Sequence, residues 1–238
     1  MPDRNLLSQT GLVVVAAGNG RRFGARKQFV PLAGRPLLAW CLEAFDQLAD
    51  LGERIVVLPE GAESEPEWLS IAARLHHPVR VVAGGAERAD SVRAGIEALG
   101  PGCLYAAVHD GARPLVDAAW LLPCVERLAS DVTLGAVIVG RSSTDTLKHF
   151  DPDSGLITGT ADRTRLARAE TPQVCRCGAL IKALALPGSS RLTDEGQVLE
   201  NAGWKTALHL IDARNPKVTL PEDIAIAEAL LRRREACS

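Results

Sequence analysis

The 238-residue sequence predicts an α/β protein with a mostly parallel β-sheet flanked by helices. Three observations predict this class. Short, near-continuous runs of valine, isoleucine and leucine are typical of strands that are buried on both faces. Helix-like segments separate these runs, and repeated strand-then-helix units build parallel sheets with right-handed crossovers. Hydrophobic residues make up 47% of the chain, so a core of ordinary size can form without disulfides or a structural metal.

Six apolar runs are predicted to be strands of the sheet. The run RIVVL at 54–58 is typical of them, because its apolar residues are consecutive rather than alternating. The predicted strands span 12–15, 54–58, 79–83, 104–108, 134–139 and 206–210. Ligands of parallel sheets bind beyond the carboxyl ends of the strands. The residues that follow each run are therefore the first candidates for a functional site.

The segments between these runs carry the spacing of helices. In the segment 36–50, apolar residues recur three and four positions apart, which places them on one helical face. The last helix begins with TLPE at 219–222, a capping-box spacing with proline in the first turn. The predicted helices span 36–50, 66–76, 89–99, 117–129, 179–186, 195–202 and 221–234.

The pattern changes after Gly140, where Asp-Pro, Ser-Gly and Thr-Gly turn signals replace the helical spacing. The segments LKHF and GLITGT flank the turn sequence DPDSG and predict a hairpin. We therefore predict a protruding β-hairpin arm over about 141–163. The sequence contains no repeats, low-complexity tracts or linkers, which predicts a single domain over residues 1–238.

Charge and composition exclude several classes of protein. The chain has 27 basic and 29 acidic residues, a net charge of −2, whereas nucleic-acid and membrane-surface binders usually carry a basic surplus. The first residues have no apolar signal region, and the apolar runs are too short for a membrane span, so we expect a cytoplasmic location. Six scattered cysteines without a C-x-x-C pair are expected to be reduced thiols.

A glycine-rich turn follows the first predicted strand, and four cations follow the turn. Glycines allow a sharp bend, and successive backbone N–H groups in such a bend can form an anion site. The alternative is a plain turn with solvated basic side chains. A dinucleotide fingerprint fits poorly, because Phe23 stands at its third glycine, and the Walker A pattern is absent. The turn contains Ala16, Ala17, Gly18, Asn19 and Gly20, and the cations are Arg21, Arg22, Arg26 and Lys27.

Two further strand ends carry polar residues. Gly84 and Gly85 follow the third run and allow close approach of the backbone, and Ser91 offers a hydroxyl that either meets a ligand or caps the next helix. Asp110 follows the fourth run, where it would hold Mg²⁺ at a phosphate or act as a turn residue. His109 is interpreted as structural, because the sequence offers it no partner nucleophile.

These segments, in this order, resemble the nucleotidyltransferase family, whose sheet is Rossmann-like. They are most similar to members that transfer a cytidylyl group from CTP to 2-C-methyl-D-erythritol 4-phosphate. The A-A-G-x-G-x-R pattern alone marks only the superfamily, whereas the combination is specific and spans nearly the whole chain. The motifs are AAGNGRRF (16–23) with KQF (27–29), GGAERADSV (84–92), HDGARP (109–114), DTLK (145–148), DR (162–163), TPQ (171–173), TDEG (193–196), NPKVT (215–219) and PEDI (221–224).

The resemblance implies the reaction and the roles of the matched residues. CTP and the acceptor 4-phosphate would give the CDP-linked product and pyrophosphate, with Mg²⁺ as cofactor. The implied CTP-binding residues are Ala16, Ala17, Gly18, Gly20, Gly85, Ser91 and Asp110, of which Asp110 also lies near the metal. The implied catalytic residues are Arg22, Lys27, Arg163 and Lys217, and the implied acceptor-binding residues are Thr146, Arg163, Thr193 and Lys217.

The arm acquires a function from the same resemblance. In the family, the positions of Thr146 and Arg163 lie on an arm that reaches into the partner subunit. The resemblance therefore implies a homodimer with composite active sites.

The sequence departs from the family pattern at a few positions. Ala86 stands where many members have aspartate, and Gly111 replaces the usual alanine. Pro216 is atypical, and the loop between Arg22 and Lys27 is shorter than in some members. These changes are expected to alter nucleotide affinity and to leave the chemistry intact, because Asp110 and the main cations remain.

Three other functions are compatible with parts of the sequence. A cytidylyltransferase acting on ribitol 5-phosphate would share the fold and the CTP loop and differ only in the acceptor pocket. A nicotinamide-dependent oxidoreductase fits the α/β pattern but not the glycine spacing or the late first helix. A non-catalytic nucleotide-binding module would not require the whole set of Arg22, Lys27, Asp110, Arg163 and Lys217.

Overall fold

The described residues form eleven strands, and seven of them build the central sheet. The computed structural model describes residues 4–18, 23 and 26–236. In chain order the strands are β1 (Thr10–Val15), β2 (Pro31–Leu32), β3 (Arg35–Pro36), β4 (Arg54–Leu58), β5 (Arg80–Ala83), β6 (Tyr105–Asp110), β7 (Leu134–Ser142), β8 (Lys148–Phe150), β9 (Ile157–Thr160), β10 (Ala167–Arg176) and β11 (Lys205–Leu210).

Eight α-helices are formed by the same described residues, together with short 3-10 turns. The helices are α1 (Arg4–Ser8), α2 (Leu37–Asp46), α3 (Pro66–Ala72), α4 (Arg88–Glu97), α5 (Leu121–Ser130), α6 (Cys177–Leu184), α7 (Glu195–Asn201) and α8 (Asp223–Glu235). The 3-10 turns are Lys27–Phe29, Ala62–Ser64, Ala118–Trp120, Arg163–Arg165 and Ser189–Arg191.

The strand order in the central sheet is β11-β7-β10-β6-β1-β4-β5. β1 pairs in parallel with both β4 and β6, β4 pairs in parallel with β5, and β11 pairs in parallel with β7. Only β10 among these strands is antiparallel to its neighbours, β6 and β7. The predicted α/β class with a mostly parallel sheet is therefore confirmed.

Helices cover both faces of the sheet. Successive residues of a buried strand point to opposite faces, so Leu12 and Val14 of β1 join one apolar cluster and Val13 joins the other. The first cluster packs against α2, α3 and α5, and the second packs against α4, α6 and α7. This two-sided burial is the physical reason that the strands appear as continuous apolar runs in the sequence.

The strand β10 was not predicted from the sequence. Its first three residues are exposed and polar or small, whereas its last half is buried, so it does not form one apolar run. The register with β7 shifts between Ala169 and Gln173. The strand β10 lies inside the sheet, between β7 and β6, although its sequence is unlike that of a strand buried on both faces.

Several predicted boundaries shift in the structure. The helix predicted over 36–50 ends at Asp46. The last helix begins at Asp223 rather than Pro221, and the Asp223 carboxylate accepts the backbone N–H groups of Thr219 and Leu220 at 2.7 and 2.8 Å, whereas the Thr219 Oγ1 donates to the Lys217 carbonyl. The predicted capping box at 219–222 was therefore wrong.

The predicted hairpin is present within the segment 141–163. β8 and β9 pair antiparallel, with Lys148 opposite Thr160, and the Lys148 Nζ donates to the Thr160 Oγ1 at 2.7 Å. Both strands are largely exposed. Among all described residues, no helix is long and apolar enough to span a membrane.

Candidate active site

A cavity of about 320 Å³ opens at the carboxyl ends of β1, β5 and β6, the edge of the sheet where the sequence predicted a ligand. Eight of the sequence-predicted site residues line it. They are Ala16, Ala17, Gly18, Lys27, Gly85, Ser91, Asp110 and Lys217. The predicted residues Gly20 and Arg22 lie outside the described part of the chain.

The turn after β1 is held close to the strands beside it. The Ala16 N–H donates to the Val57 carbonyl at 2.8 Å, which extends the ladder between β1 and β4. A Cβ built on Gly84 would lie only 2.2 Å from the Cβ of Ala17, so glycine at this position allows the two loops to touch. Gly18, one residue further, has open space on its Cβ side. The turn therefore presents backbone to the cavity, as the glycine pattern predicted.

Ser91 does not cap its helix. The cap of α4 is Glu87, which forms a reciprocal capping box with Asp90. The buried Ser91 hydroxyl accepts the Gly85 N–H at 3.2 Å and donates to the Glu87 carbonyl at 3.3 Å. Ser91 thus fixes the glycine loop at the cavity wall, and the alternative of a helix cap was wrong.

Asp110 is the centre of an ion cluster. The strand β6 extends to Asp110, so the carboxylate stands at the end of the strand rather than beyond it. Its Oδ2 accepts from the Lys217 Nζ at 2.8 Å, and its Oδ1 accepts from the Arg88 Nε and Nη2 at 3.2 and 3.1 Å. Burial alone would raise the pKa of Asp110, but Arg88 and Lys217 hold it well below its usual range. The group is a carboxylate at every physiological pH.

Arg88 and Glu195 belong to this cluster although the sequence did not single them out. Arg88 is the first residue of α4, and Glu195 is the first residue of α7. The Arg88 Nη1 and Nη2 donate to the two Glu195 carboxylate oxygens at 2.6 and 3.1 Å, a bidentate pair. Burial would lower the pKa of Arg88, but Glu195 and then Asp110 raise it. Arg88 lies in the motif GGAERADSV and Glu195 in the motif TDEG, but only the fold shows that the two side chains pair.

A smaller cavity of about 140 Å³ adjoins the first one and shares its wall of Arg88, Asp110 and Lys217. The predicted acceptor residue Thr193 lines this second cavity. Its wall also contains Arg113 and Glu170. The structure thus brings Thr193 and Lys217 together, and it places a second compartment beside the first with Asp110 between them.

The segment that carries Lys217 is anchored at several points. The Asn215 Nδ2 donates to the Thr171 carbonyl at 3.1 Å, and the Asn215 carbonyl accepts from the Arg113 Nη1 at 2.8 Å. The Val218 N–H donates to the Ala112 carbonyl at 2.8 Å, and the Val218 carbonyl accepts from the Lys27 Nζ at 3.1 Å. Two predicted catalytic lysines, far apart in sequence, are therefore held at one place.

His109 is structural, as the sequence indicated. It is fully buried, with Nδ1 2.9 Å from the Thr171 Oγ1 and Nε2 3.1 Å from the Arg113 carbonyl. Burial lowers the pKa of His109 to about 4, so the ring is neutral at pH 7. Both ring nitrogens already face protein groups, and neither is placed to act as a base in the cavity.

The arm residues Thr146 and Arg163 are not part of either cavity wall among the described residues. Both are exposed, and the Arg163 Nη1 donates to the Thr144 carbonyl at 3.2 Å within the arm. The described site residues predicted at the sheet edge therefore line the two cavities, whereas the two predicted on the arm line neither.

The residues around Asp110 meet the requirements of one kind of magnesium site. In the described part of the chain, no group of three or more His, Cys, Asp or Glu residues is placed to hold a metal. A protein cage is thus excluded for these residues. Mg²⁺ at nucleotide sites is usually held by one or two carboxylates together with substrate phosphates. Asp110 supplies one ionised carboxylate in the cavity wall. Its Oδ2 accepts one hydrogen bond, from Lys217, and the Arg113 Nε lies 3.7 Å away, so this oxygen keeps a lone pair for a cation.

Two solved structures share this fold over nearly the whole chain. The 4-diphosphocytidyl-2C-methyl-D-erythritol synthase of Anaerococcus prevotii aligns with a TM-score of 0.81 and 26% identity, covering 94% of this chain and 98% of that one. The 2-C-methyl-D-erythritol 4-phosphate cytidylyltransferase of Thermus thermophilus aligns with a TM-score of 0.72 and 29% identity, covering 92% and 98%. The sheet and the cavity at its edge define a nucleotidyltransferase.

Sequence comparison narrows this class to one family. The family model for 2-C-methyl-D-erythritol 4-phosphate cytidylyltransferase (IspD) matches residues 10–233. A relative of that name from Prochlorococcus marinus is 38% identical over 227 residues, covering 92% of this chain and 97% of the relative. The chain belongs to the 2-C-methyl-D-erythritol 4-phosphate cytidylyltransferase family.

Proposed function

We propose that the two adjoining cavities are the CTP and acceptor compartments of a cytidylyltransferase. The chain transfers the cytidylyl group of CTP to 2-C-methyl-D-erythritol 4-phosphate, which gives 4-diphosphocytidyl-2-C-methyl-D-erythritol and pyrophosphate in non-mevalonate isoprenoid precursor synthesis. The observation that supports this assignment is the wall that the two cavities have in common. Arg88, Asp110 and Lys217 face both cavities, so a group bound in one cavity lies beside a group bound in the other.

CTP is proposed to bind in the larger cavity. The backbone N–H groups of Ala17 and Gly18 are proposed to support a triphosphate there, at the end of a strand. Ala16, whose own N–H is bonded to the Val57 carbonyl, contributes to the cavity wall. Gly20 belongs to the same proposal on the basis of sequence alone. Gly85 and Ser91 also line this cavity, and the nucleoside is proposed to lie beside them. The methylerythritol phosphate is proposed to enter the smaller cavity beside Thr193 and Lys217.

The proposed reaction is an in-line attack of the acceptor phosphate on the α-phosphorus of CTP, with pyrophosphate leaving from the opposite side. A phosphate monoester is anionic near neutral pH, so the attack requires no general base. This agrees with the burial of His109, the histidine nearest to the site motifs. The main difficulty is to bring two polyanions together, and positioning with charge neutralisation should therefore carry the catalysis.

The cations at the cavities have distinct proposed roles. Lys27 and, from its sequence position, Arg22 would meet the negative charge that develops on the α-phosphoryl oxygens and the leaving pyrophosphate. Lys217 bonds Asp110 and borders both compartments, which suits it to orient the attacking phosphate. Arg163 is proposed to help with this orientation from the partner subunit.

Asp110 is the residue that would hold Mg²⁺. When bound, the ion would offset phosphate charge and act as a Lewis acid on phosphoryl oxygens. The surroundings of the carboxylate support this role. Arg88 holds one oxygen in place, and the low pKa keeps the group deprotonated.

The homodimer with arm exchange is also a proposal. Thr146 and Arg163 line neither cavity of their own chain, and we propose that the arm of one subunit brings them to the site of another. The arm also exposes large apolar side chains, which favours a covered surface. They are Leu147, Phe150, Leu156 and Ile157.

A cytoplasmic location completes the proposal. The five cysteines in the described part of the chain are free thiols, and all of them are buried. Free thiols are typical of proteins from reducing compartments. Neither nucleic acid nor a membrane is a proposed partner, because the net charge is −2.

The first experiment measures pyrophosphate release with CTP, Mg²⁺ and 2-C-methyl-D-erythritol 4-phosphate, with ribitol 5-phosphate in parallel. We expect rapid release with the methylerythritol acceptor alone. Pyrophosphate release with ribitol 5-phosphate alone would mean that ribitol 5-phosphate is the acceptor. CTP binding without pyrophosphate release in the presence of either acceptor would indicate a non-catalytic binding module.

The dimer is tested by coexpression of two inactive variants, Arg163→Ala and Lys217→Ala. If the arm acts across subunits, each mixed dimer contains one site with both defects and one intact site. Random pairing then restores about a quarter of wild-type turnover. Intact-mass measurement of the dimers checks that mixed pairs formed, and mixed pairs without activity would contradict arm exchange.

A further inference from the structure

Glu195 is a buried carboxylate close to the reaction centre. It is 2% exposed, and it is not among the described residues that line either cavity. Both of its oxygens accept from Arg88, at 2.6 and 3.1 Å. Arg88 is therefore the residue through which the Glu195 side chain contacts the walls of both cavities.

Arg88 is held from two sides. Its guanidinium donates to Glu195 on one side and to the Asp110 Oδ1 on the other, with two hydrogen bonds to each carboxylate. Guanidinium groups have five N–H donors in a rigid planar arrangement, so these four bonds fix both position and orientation. Arg88 in turn lies in the walls of both cavities.

The Arg88–Glu195 pair joins two segments that are 107 positions apart in the sequence. Arg88 belongs to the loop and helix that border the nucleotide cavity, and Glu195 follows directly after the segment that carries Thr193. Several hydrogen bonds hold that second segment in place. The Asp194 Oδ1 accepts the Gln197 N–H at 2.8 Å, and the Gln173 side chain bridges Asp194 and the Gly196 N–H. A displacement of Arg88 would therefore be transmitted to Thr193.

Charge balance gives Glu195 a second effect on the cluster. Asp110 pairs with Arg88, Lys217 and, at 3.7 Å, Arg113, and Arg88 also pairs with Glu195. With Glu195 present, Arg88 is shared between two carboxylates. Without it, Arg88 would pair with Asp110 alone, and the balance of the three cations around that carboxylate would change.

We propose that Glu195 is a positioning residue for the transfer. Through Arg88 it fixes the position of Asp110 and holds the nucleotide and acceptor compartments at a fixed distance and orientation to each other. This inference rests on the proposed function of the two cavities. Glu195 touches no reacting atom, and its contribution is the geometry of the residues that do.

The test is a double-mutant cycle with Glu195→Gln, Arg88→Met and the double variant. Glutamine keeps the length of Glu195 and removes its charge, and methionine keeps much of the apolar stem of Arg88. Glu200→Gln is the matched control, because Glu200 is an exposed glutamate on the same helix. Pyrophosphate release gives kcat and KM for each substrate, calorimetry gives the CTP dissociation constant without acceptor, and thermal unfolding reports the folded fraction.

We expect Glu195→Gln to lower kcat/KM for the acceptor by about 10²-fold, the size of effect that a misplacement of about 1 Å produces. The CTP dissociation constant should change much less than this. The double variant should be no worse than Arg88→Met alone, because the two residues act as one unit. Glu195→Asp keeps the charge with a shorter reach and should recover part of the loss.

Three results would overturn the proposal. The first is multiplication of the two single losses to about 10⁴-fold in the double variant, since independent residues behave this way. The second is wild-type kcat/KM for Glu195→Gln. The third is a loss that matches the loss of CTP-binding protein, which means a purely structural role. If Glu195→Gln does not fold, Glu195→Asp and the double variant supply the comparison. Turnover of the wild-type chain in the same assay tests the proposed function separately.

Discussion

The substitution Gly84→Ala should damage the active site by sterics alone. A Cβ on Gly84 would lie 2.2 Å from the Cβ of Ala17 and 2.8 Å from the Ser91 Oγ. Carbon atoms in contact are normally about 3.5–4.0 Å apart, so the two loops must separate by about 1 Å or more. Because the Ala17 Cβ is attached directly to the backbone, rotation of a side chain cannot relieve the clash.

The expected magnitudes follow from this displacement. Overpacking of this kind typically costs about 1–3 kcal/mol of stability. Each kcal/mol lowers the melting temperature of a protein of this size by about 2–4 °C. A shift of about 1 Å in the turn that faces the proposed triphosphate should lower kcat/KM by about 10²-fold. The loss in rate should therefore exceed the loss in folded protein.

Pyrophosphate release, CTP calorimetry and thermal unfolding of Gly84→Ala measure these three effects. The matched control is Gly178→Ala, because Gly178 lies in α6 and a Cβ there would have no heavy atom within 4 Å. Alanine within a helix is favoured over glycine by about 0.5–1 kcal/mol, so the control should keep its activity and its stability. Wild-type turnover and melting temperature in Gly84→Ala would refute the reasoning.

Three further predictions follow from the contacts described above. Lys27→Ala should lower kcat by about 10²–10³-fold at saturating CTP, measured by pyrophosphate release, and near wild-type turnover would contradict its role. Asp46 accepts from the ring Nδ1 and backbone N–H of both His76 and His77, and these bonds lower its pKa to about 2 although burial opposes them. Since the folded pKa is lowered, the stabilisation is complete above about pH 4 and is lost as the pH falls towards 2. Asp46→Asn should therefore cost about 1–2 kcal/mol at pH 7, with screening at the exposed His76 ring allowed for, and should weaken acid sensitivity in urea unfolding. Burial raises the pKa of Cys41, Cys124 and Cys177 to about 12, so iodoacetamide at pH 8 should label them only after denaturation, and labelling of the native protein found by mass spectrometry would contradict this.

Much of the sheet could be predicted because its strands are buried on both faces. Strand β4 was predicted with its observed bounds, since every residue of Arg54–Leu58 is buried. The strand β10 escaped prediction for the opposite reason. Its first three residues lead from the exposed arm, and the next six are buried but include the polar residues Glu170, Thr171 and Gln173. Hydrophobic periodicity predicts a strand when the whole segment has one pattern of burial. β10 passes from solvent into the core, so no single pattern covers it.

The candidate site was predictable where residues follow a strand and unpredictable where they pair across the fold. Asp110, Gly85 and the turn at Ala16 lie at strand ends, and the structure places them around one cavity. The pairing of Arg88 with Glu195 depends on the relative orientation of α4 and α7. That orientation cannot be derived from a single sequence. The roles proposed for Thr146 and Arg163 require a second subunit, and the pairing of two chains cannot be derived from one sequence.

The anchored segment Asn215–Val218 has a consequence for the order in which the enzyme is made. Synthesis proceeds from the N-terminus, and domains begin to fold as their residues emerge. The glycine turn, α4 and Asp110 are present in the first half of the chain, whereas Lys217 is added within the last tenth. The turn at residues 16–18 thus precedes Lys217 by roughly two hundred residues of translation, and Asp110 precedes it by roughly a hundred. A chain released before Asn215 lacks Lys217, which lines both compartments, and Val218, which accepts from Lys27, so removal of residues 215–238 should abolish activity.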